Sequence, residues 1–342
     1  MMRIRVKDNS RENSIQREYD RLAEYCAKRE IAGNFLDQTV CWQQGVWKDV
    51  LAIIDAFGIE VEGKVWVDFG CKYGHLAPLL VALRAQRMIG IEVEDTYIEA
   101  GKPLCELYSN VDIVPTDEGY VPLQPESVDV VFMLEVISHI NPGYLDTVFS
   151  EIARVLKQGG VLLISDGNNV AYPGYFENNL IPFYEAWENG PDGTKTDRDT
   201  VTRPFITRRA EMIRKQCPGL PELKVDYLAR NTSGLFGDFL VQTIDQYVKT
   251  GKLIERPYRK GMCPVNPSHG GAVIERALHP LFIQLALESH GFKVQQLVPA
   301  TAGVRVSVGW FKGLFASKRG QEKQDPYGAS TILRLLASKK GW

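Results

Sequence analysis

The 342-residue sequence has no apolar run long enough to cross a bilayer. Its basic first residues, Arg3, Arg5 and Lys7, lead into no apolar stretch of the kind a secretory signal carries. Charge of one sign is also lacking: 40 basic and 42 acidic residues leave a formal net charge of −2. No global field therefore gathers nucleic acid, and no nucleic-acid partner is expected. The six cysteines, Cys26, Cys41, Cys71, Cys105, Cys217 and Cys263, include no CxxC pair. That excludes a disulfide framework or a zinc ribbon and reads as reduced thiols. Histidine is scarce, at five residues, and His269, His279 and His290 stand in unrelated local contexts, so no metal site is expected. These absences describe a cytoplasmic globular protein without stable membrane insertion.

What is present divides into blocks. Residues 1–62 form an N-terminal helical segment, with Tyr19, Leu22, Tyr25 and Cys26 at helical spacing. A second helix runs from about Thr39 to Phe57, with Val46, Val50, Ile53 and Ile54 on one stripe and Gly58 as its stop. From Lys64 short β-branched runs alternate with helix-length segments: Val65–Val67, Met88–Ile91, Val111–Val114, Val128–Leu134 and Val161–Ile164. Such alternation implies βαβ crossovers and a parallel sheet buried on both faces. It stops after Asp166. Residues 167–278 read as an inserted, mainly helical lid. A helix from Pro280, a strand-like Lys293–Val298 and a β-like Val304–Val308 follow. The predicted fold class is α/β and Rossmann-like. A mostly parallel seven-stranded sheet carries helices on both faces, with its core in residues 63–166 and 279–315. Residues 316–342, with Lys318, Arg319, Lys323, Arg334, Lys339 and Lys340, read as a basic, solvated tail ending in an amphipathic helix over Thr331–Ser338.

The segment Val65-Trp66-Val67-Asp68-Phe69-Gly70-Cys71-Lys72-Tyr73-Gly74-His75 runs a buried strand into a glycine turn and then a helix. Glycines there let a ligand approach the backbone beside helix N-terminal amides. The spacing is not GxGxxG, and an acid precedes the first glycine. A pyrophosphate has no use for that carboxylate, whereas an ammonium or hydroxyl group accepts it. A tight βα turn with an incidental Asp is the plain alternative. Strand two ends at Glu92, beside the turn, where a carboxylate can accept from ribose hydroxyls. Asp117 lies just past strand three, followed by Pro122 and Asp129, and Arg154-Val155-Leu156-Lys157-Gln158-Gly159-Gly160 leads from a helix into strand five.

Together these motifs resemble the class I S-adenosylmethionine-dependent methyltransferases, of the methyltransferase type 11 kind. DFGCKYG is similar to their DxGxGxG loop, GIE to their acidic second strand, and RVLKQGG to the turn before strand five. LALESHGFKV resembles their late helix and strand, so the likeness covers about 140 residues. It implies S-adenosyl-L-methionine as cofactor, held by Asp68, Gly70, Cys71, Gly74, Glu92, Asp117, Glu118 and Met133. Lys72 replaces the middle glycine, which would be strained if that position needs positive φ. Strand four ends in Glu135-Val136-Ile137-Ser138-His139, similar to the E-x-x-E-H segment of ubiquinone-pathway O-methyltransferases, but Ser138 replaces the second carboxylate.

The candidate catalytic residues are His139 as general base, Glu135 and Asp166, against a bland reading of His139 as a local cap. Asn168, Tyr172 and Tyr175 are candidates for acceptor binding, against a turn and a lid core. Arg203, Arg208 and Arg209 fit an acidic acceptor or a solvated helix face. The expected function is methyl transfer to a small-molecule or carbohydrate-like acceptor, most simply at oxygen. RNA or protein methylation and a non-catalytic S-adenosylmethionine-binding protein are the alternatives, and a nicotinamide oxidoreductase ranks last. A homodimer stays open.

Overall fold

The computed structural model describes residues 9–31, 35, 45, 47–117, 119–196, 200–268, 271–296 and 330–340. Among the described residues two helices, α1 (Asn9–Lys28) and α2 (Trp47–Phe57), precede the sheet. Ile15, Tyr19, Leu22 and Cys26 are buried at spacings of four and three, which makes one apolar stripe of α1. Gly58 follows α2 at φ 66°, the left-handed stop that glycine adopts without strain.

The seven strands are β1 (Val65–Phe69), β2 (Arg87–Glu92), β3 (Val111–Pro115), β4 (Val128–Leu134), β5 (Leu156–Asp166), β8 (Phe292–Gln296) and β9 (Leu333–Lys339). They lie in the order β3-β2-β1-β4-β5-β9-β8. β1 to β5 are parallel, and β9 runs antiparallel between β5 and β8. The chain reverses its direction of winding between β1 and β4, so a crevice opens at the carboxyl ends of those strands, where open α/β sheets bind ligands. Helices α3 (Ala77–Ala82), α4 (Asp95–Leu107), α5 (Leu145–Val155) and α10 (Pro280–Ser289) complete the layers. One face of the sheet (Trp66, Phe132, Leu163) packs on α1 and α2, and the other (Val67, Met133, Ile164, Leu335) on α5 and α10. Each fully buried aliphatic side chain there contributes about 1.5–3 kcal/mol.

The predicted helix over Thr331–Ser338 is a strand instead. Leu333, Leu335 and Ala337 are buried while Arg334, Leu336 and Ser338 alternate with them, a period of two. Leu, Ala and Arg are good helix formers, so local propensity points to a helix. The vacant place beside β5 overrides it. A central strand therefore comes from the stretch read as a basic tail. The expected Val304–Val308 strand lies outside the described residues, as do residues 316–329, most of residues 39–46, and Glu118.

The segment after β5 carries α6 (Ile181–Asn189), α7 (Phe205–Gln216), α8 (Glu222–Asn231), α9 (Gly237–Thr250) and the short β6–β7 pair (Thr194–Lys195, Thr200–Val201). It has its own apolar clusters. Tyr175, Leu180, Phe183 and Tyr184 form one, with Tyr172 and Trp187 against it. Arg209 departs from the expected solvated face: it is buried, ion-paired to Glu188, and its Nε donates to the Ala229 carbonyl at 2.9 Å. Among the described residues no helix is long and apolar enough to cross a membrane.

Candidate active site

At the end of β1 the backbone takes left-handed turns at Gly70 (φ 74°), Lys72 (φ 52°) and Gly74 (φ 78°). A Cβ on Gly70 would stand 2.7 Å from both methyls of Val136, so the β4 loop can close on the turn only because that residue is glycine. Lys72 does adopt the conformation that the sequence made costly. Its amide donates to Glu92 Oε2 at 2.8 Å, and its ammonium lies 5.4 Å from the Tyr73 ring centroid and 5.6 Å from that of Tyr97. The amides of Val93 and Glu94 also donate to Glu92, at Oε1. A carboxylate has about four acceptor positions. Three are taken, which leaves Oε2 room for one ribose hydroxyl rather than two.

Asp68 is 6% exposed, and among the described residues no hydrogen bond reaches its carboxylate. Burial, and then the neighbouring Glu92, push its pKa up to about 7. A buried acid beside two left-handed glycines is a seat for a cation with N–H donors. That fits the ammonium of a methionine-derived cofactor and does not fit a pyrophosphate. Asp117 is exposed just past β3, where the Thr116 amide bonds the Glu92 carbonyl and fastens the two strand ends. The side chains of two expected cofactor residues are packed inward. Met133 is fully buried in the core, and Cys71 packs its sulfur over Gly90, where a Cβ would meet it at 2.5 Å. Both side chains are packing elements of the crevice floor.

The other half of the rim is assembled from β4, β5 and the lid. Glu135, Asn168 and Glu275 all have positive φ, at 53°, 64° and 52°. Three non-glycine residues in that region at one rim indicate a backbone held in place by its surroundings. Glu135 Oε2 accepts from the Gly167 amide at 3.0 Å. Asp166 is fully enclosed and accepts from the Ser138 amide at 3.1 Å. Burial first, then Glu135 and Glu275, raise its pKa well above the carboxylate range. Residues 273–278 of the lid zip onto this turn: Val273 and Arg276 amides donate to the His139 and Ser138 carbonyls, and Leu278 to Asn168. His139 Nδ1 lies 3.2 Å from the Val273 carbonyl, and its Nε2 lies 3.8 Å from Glu275 Oε1. The imidazole is 41% exposed.

The structure thus brings Glu135, His139 and Asp166 to one rim, with Asp166 enclosed behind the Ser138 turn. Asn168 is buried too: its amide donates to Glu275, and its Oδ1 accepts from the Tyr175 hydroxyl at 3.0 Å. Tyr175 is buried and Tyr172 half-buried in the aromatic cluster that follows β5. Sequence reasoning missed Glu275 and Arg276, more than a hundred residues from their partners, and Arg334 of β9. No local pattern marks them.

Residues 67–164 match the family model Methyltransf_11, described as a methyltransferase domain. A protein of Mycolicibacterium smegmatis named "Probable S-adenosylmethionine-dependent methyltransferase" is 31% identical over 134 residues, covering 39% of this chain and 49% of that one. Ribosomal protein L11 methyltransferase of Tolumonas auensis is 32% identical over 133 residues, covering 38% and 41%. The chain spans less than half the length of these relatives. A solved S-adenosylmethionine dependent methyltransferase from Mesorhizobium loti aligns with a TM-score of 0.42 at 14% identity, over 86% of this chain and 97% of that one. Residues 67–164 therefore carry a methyltransferase domain, similar to those of S-adenosylmethionine-dependent methyltransferases. Its cofactor is S-adenosylmethionine, and Asp68, the Gly70–Gly74 turn and Glu92 lie within the matched stretch.

Proposed function

We propose that this protein transfers a methyl group to oxygen of a small-molecule or carbohydrate-like acceptor, with His139 as the general base. The observation that carries this reading is the orientation of His139 at the rim. A carbonyl oxygen only accepts, so the 3.2 Å contact to Val273 assigns the proton to Nδ1 and leaves the Nε2 lone pair open. The cofactor supplies an electrophilic methyl group on a sulfonium. His139 Nε2, 3.8 Å from Glu275 Oε1, takes the proton of the acceptor hydroxyl as its oxygen bonds to the methyl carbon and the carbon–sulfur bond breaks to leave a neutral thioether. Glu135 is held by the Gly167 amide at the same rim and orients the hydroxyl. Asp166 keeps the Ser138–His139 turn in register through the Ser138 amide.

A second reading, methylation of a protein, is favoured by the ribosomal protein L11 methyltransferases among the relatives. Methyl-tritiated S-adenosylmethionine separates the two. The protein is incubated with a panel of sugars, phenols and hydroxy acids and, separately, with ribosomal protein. Label in an extractable small molecule is the expected result. Label confined to acid-precipitable protein overturns it.

A further inference from the structure

The geometry points to Arg334 as a specificity-determining residue that receives a carboxylate of the acceptor, which makes that acceptor a hydroxy acid. This deepens the reading above and rests on it. Arg334 stands in register with Ser165, one step from the pair formed by Asp166 and Leu333, so it lies at the carboxyl rim of β5. Leu333, Leu335 and Ala337 point into the core shared with α10. Alternation therefore turns Arg334 to the other face, beneath α1 and α2, the face on which Asp68 also lies. Leu134, the residue before Glu135, is the next neighbour across β5, since Ser165 pairs with both.

A guanidinium cannot shed its charge, and its planar fork fits a carboxylate through two hydrogen bonds. Nε of Arg334 is buried without a hydrogen-bond partner, and among the described residues the side chain forms no ion pair. Burial pulls its pKa down, with Asp49 of α2 and Glu135 acting on it through space. Arg334 is half-buried at the rim of the crevice, and a ligand carboxylate there would complete the hydrogen bonding of its fork. The two nearby carboxylates make the seat suit a monoanion, because a dianionic phosphate would meet two like charges. Arg334 on β9 and the β4 loop that carries His139 are two strands apart, about 10 Å between backbones. The hydroxyl and the carboxylate of the acceptor therefore lie several bonds apart, as across a ring.

The test uses the full chain with 15N-labelled arginine, titrated with benzoate, benzyl alcohol and phenyl phosphate, with and without S-adenosylhomocysteine. Benzoate should move the Arg334 Nε–H resonance saturably, and benzyl alcohol should not. Arg334→Gln should weaken benzoate roughly ten- to hundredfold and leave S-adenosylhomocysteine affinity within about twofold. Arg334→Lys, which keeps the charge without the fork, should fall between, and it assigns the resonance if the glutamine variant folds poorly. Equal response to benzoate and benzyl alcohol in the unaltered protein overturns the proposal. So does tighter binding of phenyl phosphate. Loss of S-adenosylhomocysteine binding by the unaltered protein would instead sink the methyltransferase reading, since the benzoate titration also runs without it.

Discussion

The two halves of the crevice are built on different length scales. Where β1 meets β2, the cofactor half closes through Lys72 and Glu92, 20 residues apart. Where β4 and β5 meet residues 273–278, the proposed acceptor half closes through Asn168 and Glu275, 107 residues apart, and through His139 and Val273, 134 apart. The first is one βαβ unit whose geometry follows from local turns, with Asp68 poised for a cation. The second has no meaning until the lid has packed, because the residues that fix His139 and Glu135 arrive from elsewhere in the chain. A shared fold can thus preserve the cofactor half while the lid and β9 rewrite the acceptor half.

If that division holds, substitutions in one half should leave the other intact. The largest effect is expected at Asp68. Asp68→Ala should abolish S-adenosylmethionine binding, measured by calorimetry, while the melting temperature holds or rises at pH 8, since a buried carboxylate is removed. Gly70→Arg should behave alike for binding, through the Val136 contact. Retained affinity in either variant would break the assignment of the turn. Next comes His139→Ala, which should lower methyl transfer by about 10²–10⁴-fold with cofactor affinity within about twofold. Full activity would leave His139 a structural residue.

The cofactor half should also carry a pH signature. Because Asp68 has its pKa raised to about 7, the folded protein binds more protons than the unfolded chain between roughly pH 4 and 7. The contribution of Asp68 to stability without cofactor therefore falls as pH rises through that window. Cofactor binding runs the other way, since an ammonium needs the ionised acid. Affinity should drop by up to about tenfold per unit below pH 7, with proton release on binding seen as a buffer-dependent enthalpy. An affinity flat from pH 5.5 to 8 would remove Asp68 from contact with the ammonium. The smallest effect is expected for Lys72→Gly. Relief of the left-handed strain at φ 52° should stabilise the fold by about 1 kcal/mol, with affinity changed by no more than about threefold. A large loss of affinity would show that the Lys72 ammonium takes part in binding.

Legibility in the sequence follows the same division. Strands β1 to β5, the glycine turn and Glu92 are legible in the sequence, because β-branched runs and glycine signals are local. The sequence predicts a helix over Thr331–Ser338 where the strand Leu333–Lys339 stands, because its Leu, Ala and Arg residues suit either state and only the open place between β5 and β8 decides. Arg334 was accordingly placed on a solvated tail instead of in the sheet. Glu275 and Arg276 sit among ordinary lid residues, and nothing nearby announces their contacts with Ser138, His139 and Asn168. Asp166 and Asn168 were recognised as rim residues, but their burial depends on Glu275, Tyr175 and the Ser138 turn closing over them.

The most direct test of the central claim is calorimetric titration of the full chain with S-adenosylmethionine and, separately, with NADH. Saturable binding of S-adenosylmethionine alone, lost in Asp68→Ala, is the predicted result. Binding of NADH, or no heat from S-adenosylmethionine at high concentration with the protein folded, would contradict the reading of the crevice between β1 and β4 as a methyl-donor site.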